Sequence, residues 1–250
     1  MIKLEHVVLA SPEQMEFIIE GMRNPMNSWE RSDSDIARVC TEGSTFITAS
    51  SINAFTLGDN DRSLMQRLSN AGTDHRKYMR MMPVYVRITA PLYWWKEFDT
   101  YKVGTVTNSC SSMHKITESE FTLEDFSTEN LFDNEIYCYP LGGGWRGLSP
   151  FEMLNATIEM LNNTRKRYLA ALKIVPQTGP SAKDIWCQMI QLLPSSYNQT
   201  RNVMMNYEVL ANIYHARRNH KLDEWIKLCN WIETLPYSEL ITGVEKATND

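Results

Sequence analysis

The sequence predicts a protein of the α/β (α+β) class, with strands and helices in its first half and almost only helices in its second. Two short segments, 4–10 and 84–89, are rich in the β-branched residues typical of strands. Several longer segments after residue 149 repeat apolar side chains at helical spacing. The 250 residues, 43% of them hydrophobic, suit one large domain or two small ones, and we expect a single domain over 1–250.

The N-terminal elements are predicted by local signals. Val7 and Val8 favour a strand over 4–10. Ser11 is a natural N-cap, Pro12 suits the first helical position, and Gln14 can complete a capping box, so a helix should come next. The segment 24–56 is polar and mixed, and a second helix within it is left open.

The middle of the chain predicts a helix, a strand and an aromatic block. A helix over 61–71 should end at Gly72. The strand over 84–89 should end at Pro91. In the block after it, we interpret Trp94 and Trp95 chiefly as core residues, with stacking on a ligand as the alternative.

The C-terminal half predicts four helices. The first should begin at Ser149, a second capping-box signal, and end near Ile174. The remaining three are bounded mainly by Pro and Gly residues and should cover 180–193, 198–218 and 222–235.

Composition excludes several classes of protein. A formal net charge of −5 argues against a general nucleic-acid binder. No apolar run approaches the roughly 20 residues that span a bilayer, and no secretory signal is visible, so we expect no membrane partner. Five scattered cysteines suggest neither disulfides nor zinc, which favours a cytoplasmic location. His215 and His220 are off the spacing of paired metal ligands on a helix, and we predict no metal.

An acidic and Gly-rich insertion is predicted over 116–149. Residues 118–135 carry acidic side chains and no Lys or Arg, which is typical of a solvated surface segment. Its aromatic residues suggest that it docks on the rest of the chain: Phe121, Phe126 and Phe132. Gly142-Gly143-Gly144 lacks the Lys-Ser or Lys-Thr of a phosphate loop and is interpreted as a turn.

Two positions carry candidate chemistry by residue type alone. Cys110 lies in a small polar cluster and would be nucleophilic beside a cation that lowered its pKa; the alternative is an inert, buried thiol. The cluster 217–221 contains Arg217 and Lys221 on one helical face. It can hold a phosphate or carboxylate, or it can be a solvated face paired with nearby acids.

The order of these elements resembles the flavin-dependent thymidylate synthases. The segment 68–75, which ends in His75, resembles that family's Leu-x-x-x-Gly-His region. The strand before Pro91 resembles the one leading into the family signature. Aligned there, the signature Arg-His-Arg falls on Thr100-Tyr101-Lys102, and its upstream Gln falls on Glu97.

The resemblance continues beyond the triplet. The closing Ser of the signature falls on Cys110, and the family's Ser-x-Asn-Glu falls on the segment from Thr105 to Asn108. The helix 206–217 resembles the family's Asn-Ala-Arg-Ser-Leu…Leu-Arg segment, with Arg217 matching the last Arg. Glu208 stands where the family has its first Arg. With fewer cations, the resemblance implies weaker binding of phosphate-bearing ligands.

The resemblance implies a fold, an activity and a set of site residues. It implies a mixed central sheet flanked by helices, in a cytoplasmic homotetramer of nucleotide biosynthesis. It implies a transferase that binds a pyrimidine nucleotide such as dUMP and methylates it with reduced FAD, NADPH and methylene-tetrahydrofolate. Arg217 would bind the nucleotide, and Cys110, if it acts, would be a nucleophile on the pyrimidine ring. The other substrate-binding residues implied are Thr105, Asn108 and Glu97, and the cofactor-binding residues are Lys102, Tyr101, Thr100 and His75.

Three hypotheses remain open from the sequence. The first is a divergent enzyme of this type. The second is a catalytically silent homologue that keeps an oligomeric nucleotide-binding or protein-interaction scaffold. The third is an unrelated α/β protein. A site in which Lys102, Cys110 and Arg217 converge would favour the first.

Overall fold

The fold is that of a computed structural model, which describes residues 2–37, 54–134, 136–141, 144–173 and 179–243, without the side chains of 139–141 and 144–146. These residues belong to two compact units. Unit 1 comprises Met1–Lys3, Thr89–Asp99 and Ser109–Arg201, and unit 2 comprises Leu4–Ile88, Thr100–Asn108 and Asn202–Asp250. The single-domain organisation over 1–250 stays a prediction.

The strands form a four-stranded sheet and two small hairpins. In chain order they are β1 (Lys3–Leu9), β2 (Asp35–Ala37), β3 (Ala54–Thr56), β4 (Pro83–Pro91), β5 (Val106–Ser109), β6 (Tyr137–Leu141), β7 (Gly144–Leu148) and β8 (Asn198–Asn206). The order in the larger sheet is β1-β4-β8-β5. The pairs β2–β3 and β6–β7 are antiparallel.

The helices agree closely with the sequence signals except at one place. They are α1 (Pro12–Arg23), α2 (Asp59–Asn70), α3 (Leu92–Phe98), α4 (Pro150–Lys173), α5 (Ala182–Leu192), α6 (Tyr207–Arg217), α7 (Asp223–Glu233) and α8 (Glu239–Thr242). No helix within the described part of the chain is both long and apolar enough to cross a bilayer.

The predicted start of α1 is confirmed. The Ser11 hydroxyl accepts from the Gln14 backbone N–H at 3.2 Å, and the Gln14 side chain accepts from the Ser11 N–H at 2.9 Å. This capping box satisfies donors that a helix start leaves unpaired. The open helix within 24–56 is replaced, where residues are described, by short 3-10 turns at 24–26 and 29–31 and by β2 and β3.

The predicted helix over 198–218 is wrong in its first half. Residues 198–206 form β8, and the helix begins only at Tyr207. Val203 and Met205 are buried at alternate positions, as a strand of period two requires. Asn206 ends the strand and caps α6, because its side-chain oxygen accepts from the Val209 N–H at 3.0 Å. The second half of the chain is therefore not purely helical.

Unit 2 has its core on one face of the sheet. Val84, Val86 and Ile88 of β4 alternate into this core, with 0–2% of their surface exposed. The start of α6 is tied to the sheet unit because the Tyr207 N–H donates to the Met82 carbonyl at 3.1 Å. The helix α6 then contacts α7 and α8, and its apolar residues are buried nearly all round.

Unit 1 has a separate core between the acidic segment and the helices α4 and α5. Phe121 and Phe126 are buried there, as predicted, beside Leu161 and Met189. Phe132 is 56% exposed, so the expectation that it also docks is wrong. The predicted turn at 142–144 lies largely outside the described residues, between the strands β6 and β7.

Candidate functional site

Two predicted site residues from distant parts of the sequence meet in unit 2. The Nε of Arg217, in the last turn of α6, donates to the hydroxyl of Tyr101 at 2.9 Å. The Arg217 guanidinium also lies 4.9 Å from the ring centre of Trp225 on α7, within cation–π range. The rings of Tyr101 and Trp225 pack edge to face at 5.9 Å. Arg217 is therefore a positioned arginine rather than a solvated one, which favours the site interpretation.

The loop that carries Tyr101 lies against the N-terminus of α6. Gly104 has φ +77°, and a Cβ there would lie 3.0 Å from the Asn206 amide nitrogen and 3.1 Å from a methyl of Val209. Only glycine combines this backbone conformation with such a close approach. The next residue, Thr105, has a buried hydroxyl with no hydrogen-bond partner among the described residues. Lys102 on the same loop is exposed.

Glu208 is flanked by two arginines. It is 8% exposed and accepts from the Arg76 Nε at 3.4 Å and, at shorter range, from the Arg80 Nε. Burial alone would raise the pKa of Glu208, but the hydrogen bonds and positive charges of Arg80 and Arg76 outweigh it, so the pKa is lowered. Glu208 is therefore ionised near neutral pH, and the three side chains together carry one surplus positive charge.

The predicted residues lie on two faces of α6. Glu208 and Arg217 are about two and a half turns apart, which places them on opposite sides of the helix. Arg76 also donates to Asn212, one turn after Glu208, at 3.1 Å. His75, next to Arg76 and exposed, therefore belongs to the segment on the Glu208 side. The structure brings Tyr101 to Arg217 but does not bring His75 to the same face.

Asn108 lines a groove on the solvent side of the unit 2 sheet. The groove has a volume of about 220 Å³ and is also lined by His6, Tyr85, Arg87 and Asn202. His6 has φ +52° within β1, a conformation uncommon outside glycine. Sequence reasoning missed these four residues. The alternation of β4 is a signal that could have found Tyr85 and Arg87, because they must face away from the buried Val and Ile positions.

The remaining predicted residues differ in their surroundings. Thr100 lies at the start of the exposed loop in unit 2. Glu97 is half-buried on α3 in unit 1, where Trp94 and Trp95 are core residues with 0% and 1% exposure. Cys110, also in unit 1, is exposed, so it is not the buried thiol of the inert alternative. Its backbone N–H donates to the Thr200 carbonyl at 2.9 Å.

Comparison with known proteins identifies the fold. No protein-family model matches the sequence, and no curated protein matches it significantly. Among solved structures, the chain is similar to the flavin-dependent thymidylate synthase ThyX of Helicobacter pylori complexed with FAD and dUMP. The TM-score is 0.58 at 16% identity, over 98% of this chain and 99% of that one.

Two further structures give the same result. A second ThyX structure from Helicobacter pylori, with FAD and dUMP, has a TM-score of 0.56 at 15% identity, over 96% of this chain and 95% of that one. A UMP/dUMP methylase, PolB of Streptomyces cacaoi, bound with 5-Br dUMP, has a TM-score of 0.56 at 12% identity, over 97% and 95% of the two chains. The predicted α/β fold is thus confirmed: the chain has the fold of the flavin-dependent thymidylate synthases.

Proposed function

We propose that this protein binds a pyrimidine nucleotide of the dUMP type, with Arg217 as the principal contact to its phosphate or base. The observation that carries the proposal is the bond from Arg217 to Tyr101, two residues 116 positions apart that the family resemblance assigns to one site. Arginine binds phosphate and planar acceptor pairs through two N–H groups at once. An arginine oriented by a tyrosine and a tryptophan loses less conformational freedom on binding than a mobile one.

The residues around α6 also fit FAD as a second ligand. Lys102 is an exposed cation, Arg76 and Arg80 outweigh the charge of Glu208, and the buried Thr105 hydroxyl lacks a partner among the described residues. Such groups suit a dinucleotide that carries two phosphates. FAD, when bound, would supply the hydride chemistry of a one-carbon transfer to the pyrimidine ring. We therefore propose a methyltransferase of the thymidylate synthase type, in the cytoplasm and as a homotetramer.

Within this proposal, each side chain has a stated task. Arg217 binds the nucleotide, and Tyr101 positions Arg217 by accepting its Nε–H. Cys110 is the proposed nucleophile, with an exposed thiol that a substrate can reach. The scaffold alternative shares the nucleotide binding and differs only in turnover, so binding is the property to test first.

The test is calorimetric titration of the protein with dUMP, then a visible absorbance spectrum with added FAD. Arg217→Gln should weaken dUMP binding at least tenfold, since a charge-assisted hydrogen bond contributes about 1.5–3 kcal/mol. Tyr101→Phe keeps the ring and removes only the acceptor, so it should weaken binding by a smaller factor. Arg218→Gln is the matched control, because Arg218 is the exposed next residue and loses the same charge.

Two results would contradict the proposal. One is a wild-type protein that shows no dUMP binding. The other is equal affinity in the Arg217 and Arg218 variants, which would mean that dUMP is bound elsewhere. A protein that binds dUMP but gives no flavin spectrum would support the scaffold alternative instead of the transferase.

A further inference from the structure

A polar cavity of about 760 Å³ lies in unit 2, between the end of α1, the 3-10 turns after it and the first half of α2. Three arginines line it: Arg23, Arg31 and Arg67. The cavity shares none of the residues of the proposed nucleotide site, so ligand binding there is independent of the proposed function. Its size falls within the range of small-molecule sites, roughly 300–1,000 Å³.

Arg23 is fixed at the wall of this cavity. It is only 3% exposed, its Nε donates to the Asp61 carboxylate at 2.6 Å, and its Nη1 donates to the Ser28 carbonyl at 3.2 Å. Its second terminal nitrogen, Nη2, has no hydrogen bond to any described residue. A nearly buried guanidinium with an unused donor has a strong preference for an acceptor. The cavity is the place where such an acceptor can be supplied.

Arg31 and Arg67 provide two further cations at the same cavity. Arg31 ends the second 3-10 turn, and Arg67 lies on α2. Both are exposed, and neither forms an ion pair or a side-chain hydrogen bond with a described residue. The acids at this place are Glu30, on the lining, and Asp61, which pairs with Arg23. Three arginines against two carboxylates leave one surplus positive charge.

We propose that this cavity binds a small anion that carries one or more phosphate groups. Arginine forks match the oxygen geometry of a phosphate better than that of a compact anion such as chloride. The side-chain amides of Asn27 and Asn60 line the same space and can donate to the remaining oxygens. An anion placed between Arg31 and Arg67 would also relieve the repulsion between their charges.

The test is calorimetric titration with inorganic pyrophosphate at low ionic strength. We expect the wild-type protein to bind it and each of Arg31→Gln and Arg67→Gln to weaken binding about tenfold or more. Both side chains are exposed and unpaired among the described residues, so the variants should fold, which thermal unfolding will check. Arg167→Gln on α4 in unit 1 is the matched control, with the same loss of charge at an exposed position. It should bind as the wild type does.

Either of two outcomes would overturn the inference. Absence of pyrophosphate binding by the wild-type protein is one. Wild-type affinity in the Arg31→Gln/Arg67→Gln double variant is the other. The same titration of Arg217→Gln separates this cavity from the proposed nucleotide site: a loss there, with binding intact in the double variant, would place pyrophosphate at Arg217 and leave the cavity without a role.

Discussion

Asp61 is the residue whose removal should destabilise unit 2 most. Its carboxylate is fully buried and accepts five hydrogen bonds, with the Nε of Arg23 at 2.6 Å, the hydroxyls of Ser32 and Ser34 at 2.7 and 2.6 Å, and the backbone N–H groups of Ser34 and Asp33 at 3.1 and 3.2 Å. Asp61→Ala would leave the Arg23 charge buried without its partner. Breaking a buried ion pair in this way lowers the free energy of unfolding by about 3–5 kcal/mol.

Urea denaturation monitored by circular dichroism measures this change directly. The matched control is Asp59→Ala, two residues earlier on α2, where the side chain is exposed and the loss should stay below about 1 kcal/mol. A difference between the two variants of less than about 1 kcal/mol would refute the assignment of Asp61 as the centre of this network, because both substitutions remove the same charge from the same helix turn.

The pH dependence of stability gives the Asp61 argument a second measurement. Burial acts to raise the pKa of Asp61, but hydrogen bonds from Ser34, Ser32 and Arg23, with the Arg23 charge, lower it below its ordinary value of 3.8. The folded state therefore holds this proton less tightly than the unfolded state. The stabilisation is complete above that ordinary pKa and is lost as the pH falls through the folded pKa. Asp61→Ala should lack this component, and an unchanged acid limb in the variant would contradict it.

Two further predictions concern a thiol and a turn. Burial raises the pKa of Cys229 to about 11, so this thiol should resist Ellman's reagent until the protein is unfolded, whereas the exposed Cys110 should react at once; rapid labelling of Cys229 in the folded protein, read by peptide mapping, would contradict this. Gly104→Ala should lower the free energy of unfolding by more than Gly72→Ala, by about 1 kcal/mol or more, because both have positive φ but only Gly104 meets atoms within 3.1 Å; equal losses in urea denaturation would show that the α6 contact is unimportant.

Local signals were sufficient for much of the fold. The Ser11 capping box and Pro12 predicted the start of α1, and Ser149 predicted α4, because caps act through neighbouring residues only. The strand β8 was missed for the opposite reason. Its residues from Asn198 to Arg201 are polar, and a strand of this kind is stabilised mainly by its neighbours β4 and β5, which lie far away in the sequence. Periodicity over one short segment could not show this.

The candidate site was predictable only through the family resemblance. Residue types alone left Arg217 as either a site residue or a solvated side chain, since nothing in the spacing links it to Tyr101. The contact depends on the loop ending at Gly104 lying along α6, which is a tertiary arrangement. The groove residues Tyr85 and Arg87 had a sequence signal, the alternation of β4, but no residue type in it marks chemistry without the neighbouring Asn108.

The charge at Glu208 changes the meaning of the lost signature arginine. By sequence, a glutamate in that place implies a weaker site for phosphate. In the structure, Arg76 and Arg80 both contact Glu208, so the face of α6 that they share carries one surplus positive charge, the same as a single arginine would give. The negative charge is thus offset by cations from the segment after His75 rather than facing a ligand unpaired. Loss of the arginine at position 208 therefore does not by itself argue against binding of a phosphate-bearing ligand, and the dUMP titration decides the question on other residues.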